Sequence, residues 1–251
     1  MSGSDAHPDR NPPAGGHALA GAGVGIVVLD TRHRLLPGNV QHARSFTRPV
    51  FYEVVSLQEP AVLMAGDPSV EPLILEAARR LLRFGVSVIA GACGSFVYYQ
   101  RAVAAALPVP VFLSVMMAAP MLLAGMAQGR KIAVIASACS AINARSLSAC
   151  GLGEADTERL VVIELKGSGA FDSILRQEPD FDADRMRSEV VALAEAAVRD
   201  DPTIGLFLIQ CSDIPPFSHA IRAATGRPCF DAVGLIEWLL TAAEPPDYAR
   251  R

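Results

Sequence analysis

The chain has 251 residues, 51% of them hydrophobic and 19% charged, enough to bury the core of one large domain or of two small lobes. Its formal net charge of −4 comes with no block of lysine or arginine, which excludes the basic footprint that nucleic acid or an anionic membrane needs. Five cysteines at irregular spacing, none in a CxxC pair, exclude a disulfide framework and a zinc site and fit a reducing cytoplasm.

The first 22 residues, rich in Pro, Gly and polar side chains, lack the basic head and apolar run of a signal peptide and read as a disordered tail. After them, short β-branched runs alternate with longer amphipathic ones, the pattern of an α/β fold with mostly parallel strands. Strands are predicted at 24–30, 49–55, 86–92, 110–114, 131–137, 160–165, 204–210 and 228–232.

Between strands two and three, Leu73, Ala77 and Leu81 form the i, i+4, i+8 stripe of a half-buried helix, with Ser69 as its N-cap and Pro72 in its first turn. The basic run from Arg79 to Phe84 falls on the solvated face of that helix. "VFLSVMMAAPMLLAGMA" (111–127), interrupted by Ser114 and Pro120, reads as a core strand and helix rather than a membrane span. A second long helix covers 182–200, starting at Asp182 or Asp184, and a third ends on Gly226. The glycines of "GAGVGIVVLD" precede a strand instead of following one, so no nucleotide site is implied. "KGSGAF" (166–171) reads as an ordinary loop.

Two cysteines occupy equivalent places. Cys93 closes "VSVIAGAC" and Pro110 opens "PVF" 17 residues later; Cys211 closes "GLFLIQC" and Pro228 opens "PCF" 17 residues later. Each thiol thus ends a strand, at the carboxyl edge of a parallel sheet where ligands bind. Just before a helix N-terminus, a thiol is expected to have its pKa lowered, and the free N–H groups there can hold a carboxylate. Two such thiols facing one cleft suit a small acid whose α-hydrogen is removed by one and returned by the other.

With "GACGSF", "QCSDIPPFSHAIRAATGRPCFD" and "GIVVLDTRHRLLPGNVQHARSF", the chain from about Gly23 onward resembles the aspartate/glutamate/hydantoin racemase superfamily. The resemblance implies two similar lobes, each a mostly parallel sheet flanked by helices, with the cleft between them. The first would span 23–116 plus 232–251 and the second 117–231. It implies Cys93 and Cys211 as an acid/base pair, and a substrate bound by Asp30, Thr31, Ser114, Ser137 and Ser140 together with Gly94, Ser95 and Ser212 beside the cysteines. No cofactor or metal is implied. The expected partner is a small carboxylate, without nucleic acid or membrane, and a homo-oligomer is compatible with this reading. The "ACNTA" and "GCTHYP" strings of glutamate racemases are absent; "CGS" and "CSDIPP" are closer to a racemase-like subgroup and to the algal dimethylsulfoniopropionate lyases of the superfamily. The sequence therefore allows a cofactor-independent racemase or epimerase, an α-proton-abstracting lyase or decarboxylase, or an idle carboxylate-binding protein.

The remaining reactive side chains are assigned bland roles. Cys139, just past a strand, is read as structural, and Cys150 and Cys229 as core. His33, His42 and His219 have no metal-ligand spacing, and His219 is placed on an exposed helix face. Asp213 would raise the pKa of its neighbour Cys211, so it is expected to point away or to cap the helix.

Overall fold

The computed structural model describes residues 19–57, 59–247 and 249, so the tail predicted over 1–22 lies mostly outside them. All eight predicted strands are present: β1 (Val24–Leu29), β2 (Phe51–Val55), β3 (Val88–Gly91), β4 (Val111–Phe112), β5 (Lys131–Ala136), β6 (Leu160–Glu164), β7 (Ile204–Ile209) and β8 (Cys229–Asp231). They form two four-stranded sheets, ordered β2-β1-β3-β4 and β6-β5-β7-β8, with every pairing parallel. The two orders are the same once numbering restarts at β5.

The central strands are apolar on both faces, as parallel strands covered by helices must be. In β1, Val24, Ile26 and Val27 are inaccessible to solvent, as are Ile132 to Ala136 of β5 and Phe207 to Ile209 of β7. The covering helices are α1 (Pro60–Met64), α2 (Glu71–Leu82), α3 (Gln100–Ala105), α4 (Ala119–Ala124), α5 (Ala144–Ala149), α6 (Glu154–Thr157), α7 (Gly169–Leu175), α8 (Ala183–Asp200), α9 (Ser218–Thr225) and α10 (Ala232–Ala243). Helix α10 follows the last strand of the second sheet yet packs against β1 and β3 of the first.

Two details of α2 differ from the sequence reading. Its buried face is Ile74, Ala77, Ala78 and Leu81, while Leu73 is 45% exposed; the stripe is rotated by one residue because Ile74 fills the space over the sheet. Ser69 is not its cap: the Asp67 carboxylate accepts the Ser69 N–H at 2.8 Å and starts a 3-10 turn that runs straight into the helix. Pro72 does lie in the first turn, Asp182 caps α8 by accepting the N–H groups of Asp184 and Arg185, and Gly226 takes the left-handed conformation that ends α9.

Candidate active site

The carboxyl ends of β1, β3, β5 and β7 meet at one cavity of about 150 Å³, and each delivers side chains to it. Strand β3 is followed by Cys93, Gly94 and Ser95, and β7 by Gln210, Cys211, Ser212 and Asp213. Thr31, His33 and Gln41 come from the segment after β1, and Ser137 from the end of β5. Leu63, Met64, Phe171, Ile174 and Leu175 supply an apolar wall.

Both cysteines therefore line the same cavity. Of the other residues singled out in the sequence, Thr31, Gly94, Ser95, Ser137 and Ser212 join them. Asp30 lines the neighbouring cavity, of about 310 Å³, which shares Leu29, Thr31, Leu63 and Gln177 with the first; its carboxylate accepts the Ser56 hydroxyl at 3.1 Å. Ser114 is buried away from the cavity, its oxygen spent on the Met116 N–H. Ser140 lies exposed on the turn beyond β5, as does Cys139. His219 is exposed and Cys150 is core, while Cys229 is half-buried.

The thiols are set differently from the expectation. Each is followed by a 3-10 turn, Gly94–Tyr99 and Pro215–Phe217, before α3 and α9 begin, so neither sits at the end of a long aligned dipole. Burial dominates instead. It pushes the Cys93 thiol up to about 11, against the pull of the Ser95 and Phe96 backbone N–H groups and the Ser95 side chain. Burial also raises Cys211 well above the usual thiol range, and the Asp213 carboxylate raises it further, against the pull of the Asp213 backbone N–H. Both rest as neutral thiols.

Asp213 does not point away. Its Oδ2 lies 4.0 Å from the Cys211 Sγ, and its Oδ1 accepts from His33 Nε2 at 2.9 Å and from Asn39 Nδ2 at 2.6 Å. The donors that draw it inward, His33 and Asn39, are 5% and 3% exposed and sit on the segment after β1. Burial disfavours a charge on His33, but its hydrogen bond to Asp213, the Asp213 charge and the nearby Gln177 together raise its pKa. His33, Asn39, Gln41, Gln177 and Gln210 were not singled out as site residues. His33 shares the carboxyl-edge position that marked the cysteines, three residues beyond where β1 is predicted to end, and that edge was its one legible signal.

The segment after β1 is tied to the loop before α8. The Arg32 N–H bonds Gln177 Oε1 at 3.0 Å, the Arg34 N–H bonds the Pro179 carbonyl at 3.0 Å, and the Arg34 guanidinium reaches Asp180 at 3.0 Å and stacks over Phe181. Among the described non-glycine residues, Gln177 alone has a positive φ, 56°, a strained setting for a side chain that borders both cavities.

Among the described residues, no cluster of His, Cys, Asp or Glu is placed to hold a metal ion, and no helix is long and apolar enough to cross a membrane.

This architecture, two parallel sheets with a thiol from each at one cavity, defines a class of two-sheet α/β proteins. No family model matches the chain. Its sequence is similar to a dimethylsulfoniopropionate lyase of Durusdinium sp. clade D, 29% identical over 89% of this chain and 76% of that one. It is also similar to dimethylsulfoniopropionate lyase 3 of Emiliania huxleyi, 29% identical over 84% of this chain but only 57% of the relative. The fold matches unliganded arylmalonate decarboxylase (TM-score 0.58, 17% identity, 91% and 94% of the two chains). It also matches allantoin racemase from Pseudomonas fluorescens (0.54, 18%, 87% and 89%) and a glutamate racemase from Bacillus anthracis (0.54, 13%, 88% and 80%). The chain thus shares its fold with the decarboxylase and the two racemases, and its sequence is similar to dimethylsulfoniopropionate lyases.

Proposed function

We propose that the chain is an enzyme of the aspartate/glutamate racemase superfamily that works without a cofactor, removes the proton next to the carboxylate of a small acid with Cys93, and completes an elimination rather than a racemisation. The observation that carries this reading is the inequality of the thiols. The Asp213 carboxylate, 4.0 Å from the Cys211 thiol, raises it second only to burial, whereas for Cys93 the pull of the Ser95 N–H ranks ahead of that carboxylate. Racemisation needs an acid/base group working on each face of the substrate; a lyase needs one base.

With dimethylsulfoniopropionate, the Cys93 thiolate takes the α-proton and becomes the thiol. The C–H electron pair forms the carbon–carbon double bond, and the carbon–sulfur bond breaks with its pair leaving on dimethyl sulfide. Acrylate remains, and Cys93 releases its proton to water. The similarity to named lyases supports this outcome.

The test is to supply dimethylsulfoniopropionate, a malonate and both enantiomers of a small amino-acid panel, and to measure dimethyl sulfide, carbon dioxide and α-deuterium uptake from deuterated water. Dimethyl sulfide release that is lost in Cys93→Ala supports elimination. Exchange from both enantiomers without any release would support a racemase instead, a second reading favoured by the presence of a thiol from each sheet in one cavity. No exchange and no release would sink both.

A further inference from the structure

A cavity that takes a carboxylate needs something to receive its charge. Among the described lining residues there is no lysine or arginine, and the neutral donors are Thr31, Gln41, Ser95, Ser137, Gln177, Gln210 and Ser212. The single side chain able to carry positive charge there is His33, whose side chain is 2% exposed.

Its two nitrogens are unequal. Nε2 must carry a proton, because Asp213 Oδ1, 2.9 Å away, only accepts. Nδ1 is buried and has no hydrogen-bond partner, the one such side-chain N or O among the described residues of this lining. The Gln177 oxygen, which accepts the Arg32 N–H with one lone pair, lies near enough to favour a proton on the ring but makes no hydrogen bond to Nδ1, and its nitrogen donates to the Ile174 carbonyl. Buried polar atoms are ordinarily paired, and an orphan beside a cavity points to a missing ligand.

We infer that His33 is the carboxylate receptor of the cavity: as an imidazolium oriented by Asp213, it donates Nδ1–H to one oxygen of a small monoanionic acid. This rests on the reading of the cavity as a carboxylate site and adds its substrate class. This one charged donor serves one carboxylate, so a second carboxylate, as in aspartate or glutamate, meets only neutral donors. The apolar wall of Leu63, Met64, Phe171 and Ile174 receives an uncharged or soft substituent in its place. Asp213 serves His33 as a positioning residue and leaves the ring net neutral with its partner until the anion arrives.

The charged and titratable groups around the ring are Asp213 and Cys211 after β7, Cys93 after β3, and Asp30, Arg32 and Arg34 on its own segment. Arg34 is committed to Asp180 and both thiols rest neutral, so His33 governs the pH dependence of anion binding in the neutral range.

The probes are propionate, its neutral isostere propionamide, and the dianion succinate, titrated calorimetrically against the full chain from about pH 5 to about pH 8. Propionate is expected to bind, to weaken as pH rises through the His33 titration, and to outcompete both other probes by about tenfold or more. His33→Gln keeps a donor for Asp213 and is expected to lose that selectivity and that pH dependence. In case this variant does not fold, the His33 ring of the wild-type chain is followed by NMR. Saturating propionate is expected to move its titration to higher pH, and an unmoved titration would overturn the inference.

Equal propionate binding by the wild type and His33→Gln overturns it while leaving proton abstraction standing. Binding that depends on His33, with no turnover of any acid, supports it while the proposed reaction falls. A wild-type chain that binds no carboxylate defeats both.

Discussion

Gly94 and Gln210, the residues beside the two cavity thiols, pack against each other so closely that a methyl group on Gly94 would lie 2.1 Å from the Gln210 side-chain amide. One follows β3 of the first sheet and the other follows β7 of the second. This contact sets how near the two thiol-bearing loops can come.

Gly94→Ala is therefore expected to push the loops apart. Overpacking of this kind costs about 1–3 kcal/mol, and the displaced thiols should lower turnover more than tenfold. Urea unfolding read beside activity checks this; a variant with wild-type stability and turnover would show that the loops are free to separate.

Behind burial, the Asp213 carboxylate is the largest influence raising the Cys211 thiol, so Asp213→Asn should lower the pH at which Cys211 is alkylated by iodoacetamide. Cys93, for which Asp213 ranks behind burial and the Ser95 N–H, should move less. Peptide-resolved alkylation rates across pH separate the two. An unchanged Cys211 profile would mean that burial alone sets its state.

If Cys93 is the base, turnover must rise with pH, since burial has moved the thiol up to about 11 and only its deprotonated form abstracts a proton. A rate that is flat or falling between neutral pH and the alkaline limit of folding would remove Cys93 from that role.

Alkali should destabilise the fold for a related reason. Cys150, buried, has its thiol raised from 9.0 to about 12, so the unfolded chain loses this proton first. The unfolded state then binds fewer protons than the native one, and stability falls as pH rises between those two values, by up to about 1.4 kcal/mol per pH unit for one such thiol. Burial raises Tyr52 from 10.0 to about 12 and adds to the loss in the upper part of the window. Melting temperatures from pH 8 upward, compared with Cys150→Ala, test this; the variant should show a shallower slope.

Asp182→Ala removes the acceptor for two N–H groups at the start of α8, the longest helix described, and is expected to cost about 1 kcal/mol without altering the cavity. A denaturation midpoint shifted at constant slope, with unchanged turnover, is the expected result.

The strands were legible because buried parallel strands are written as continuous runs such as "KIAVIA" and "IGLFLI", which few other structures use. The cysteines were legible because each closes such a run. Their electrostatics were not. A helix-start argument looks only at the next few residues, whereas the burial that raises both thiols comes from the whole cavity. Asp213 shows the same limit: judged by its neighbour Cys211 alone it should turn away, but its partner His33 is 180 residues distant and outweighs that repulsion. His33 itself carries no local pattern, and only the folding of its loop onto the second sheet gives it a role. The register of α2 failed more simply, since Leu73 and Ile74 are both apolar and only the shape of the space beneath chooses between them.

The two sheets repeat one strand order, yet the cavity between their ends is not symmetric, because a carboxylate and one backbone N–H attend Cys211 while two backbone N–H groups and the Ser95 side chain attend Cys93. On the proposed chemistry, a flat intermediate lying between Cys93 and Cys211 would present one face to a base and the other to a standing acid. A doubled scaffold thus acquires a hand. Its signature would be the loss of one chosen hydrogen of a substrate methylene, with its prochiral twin retained in the product.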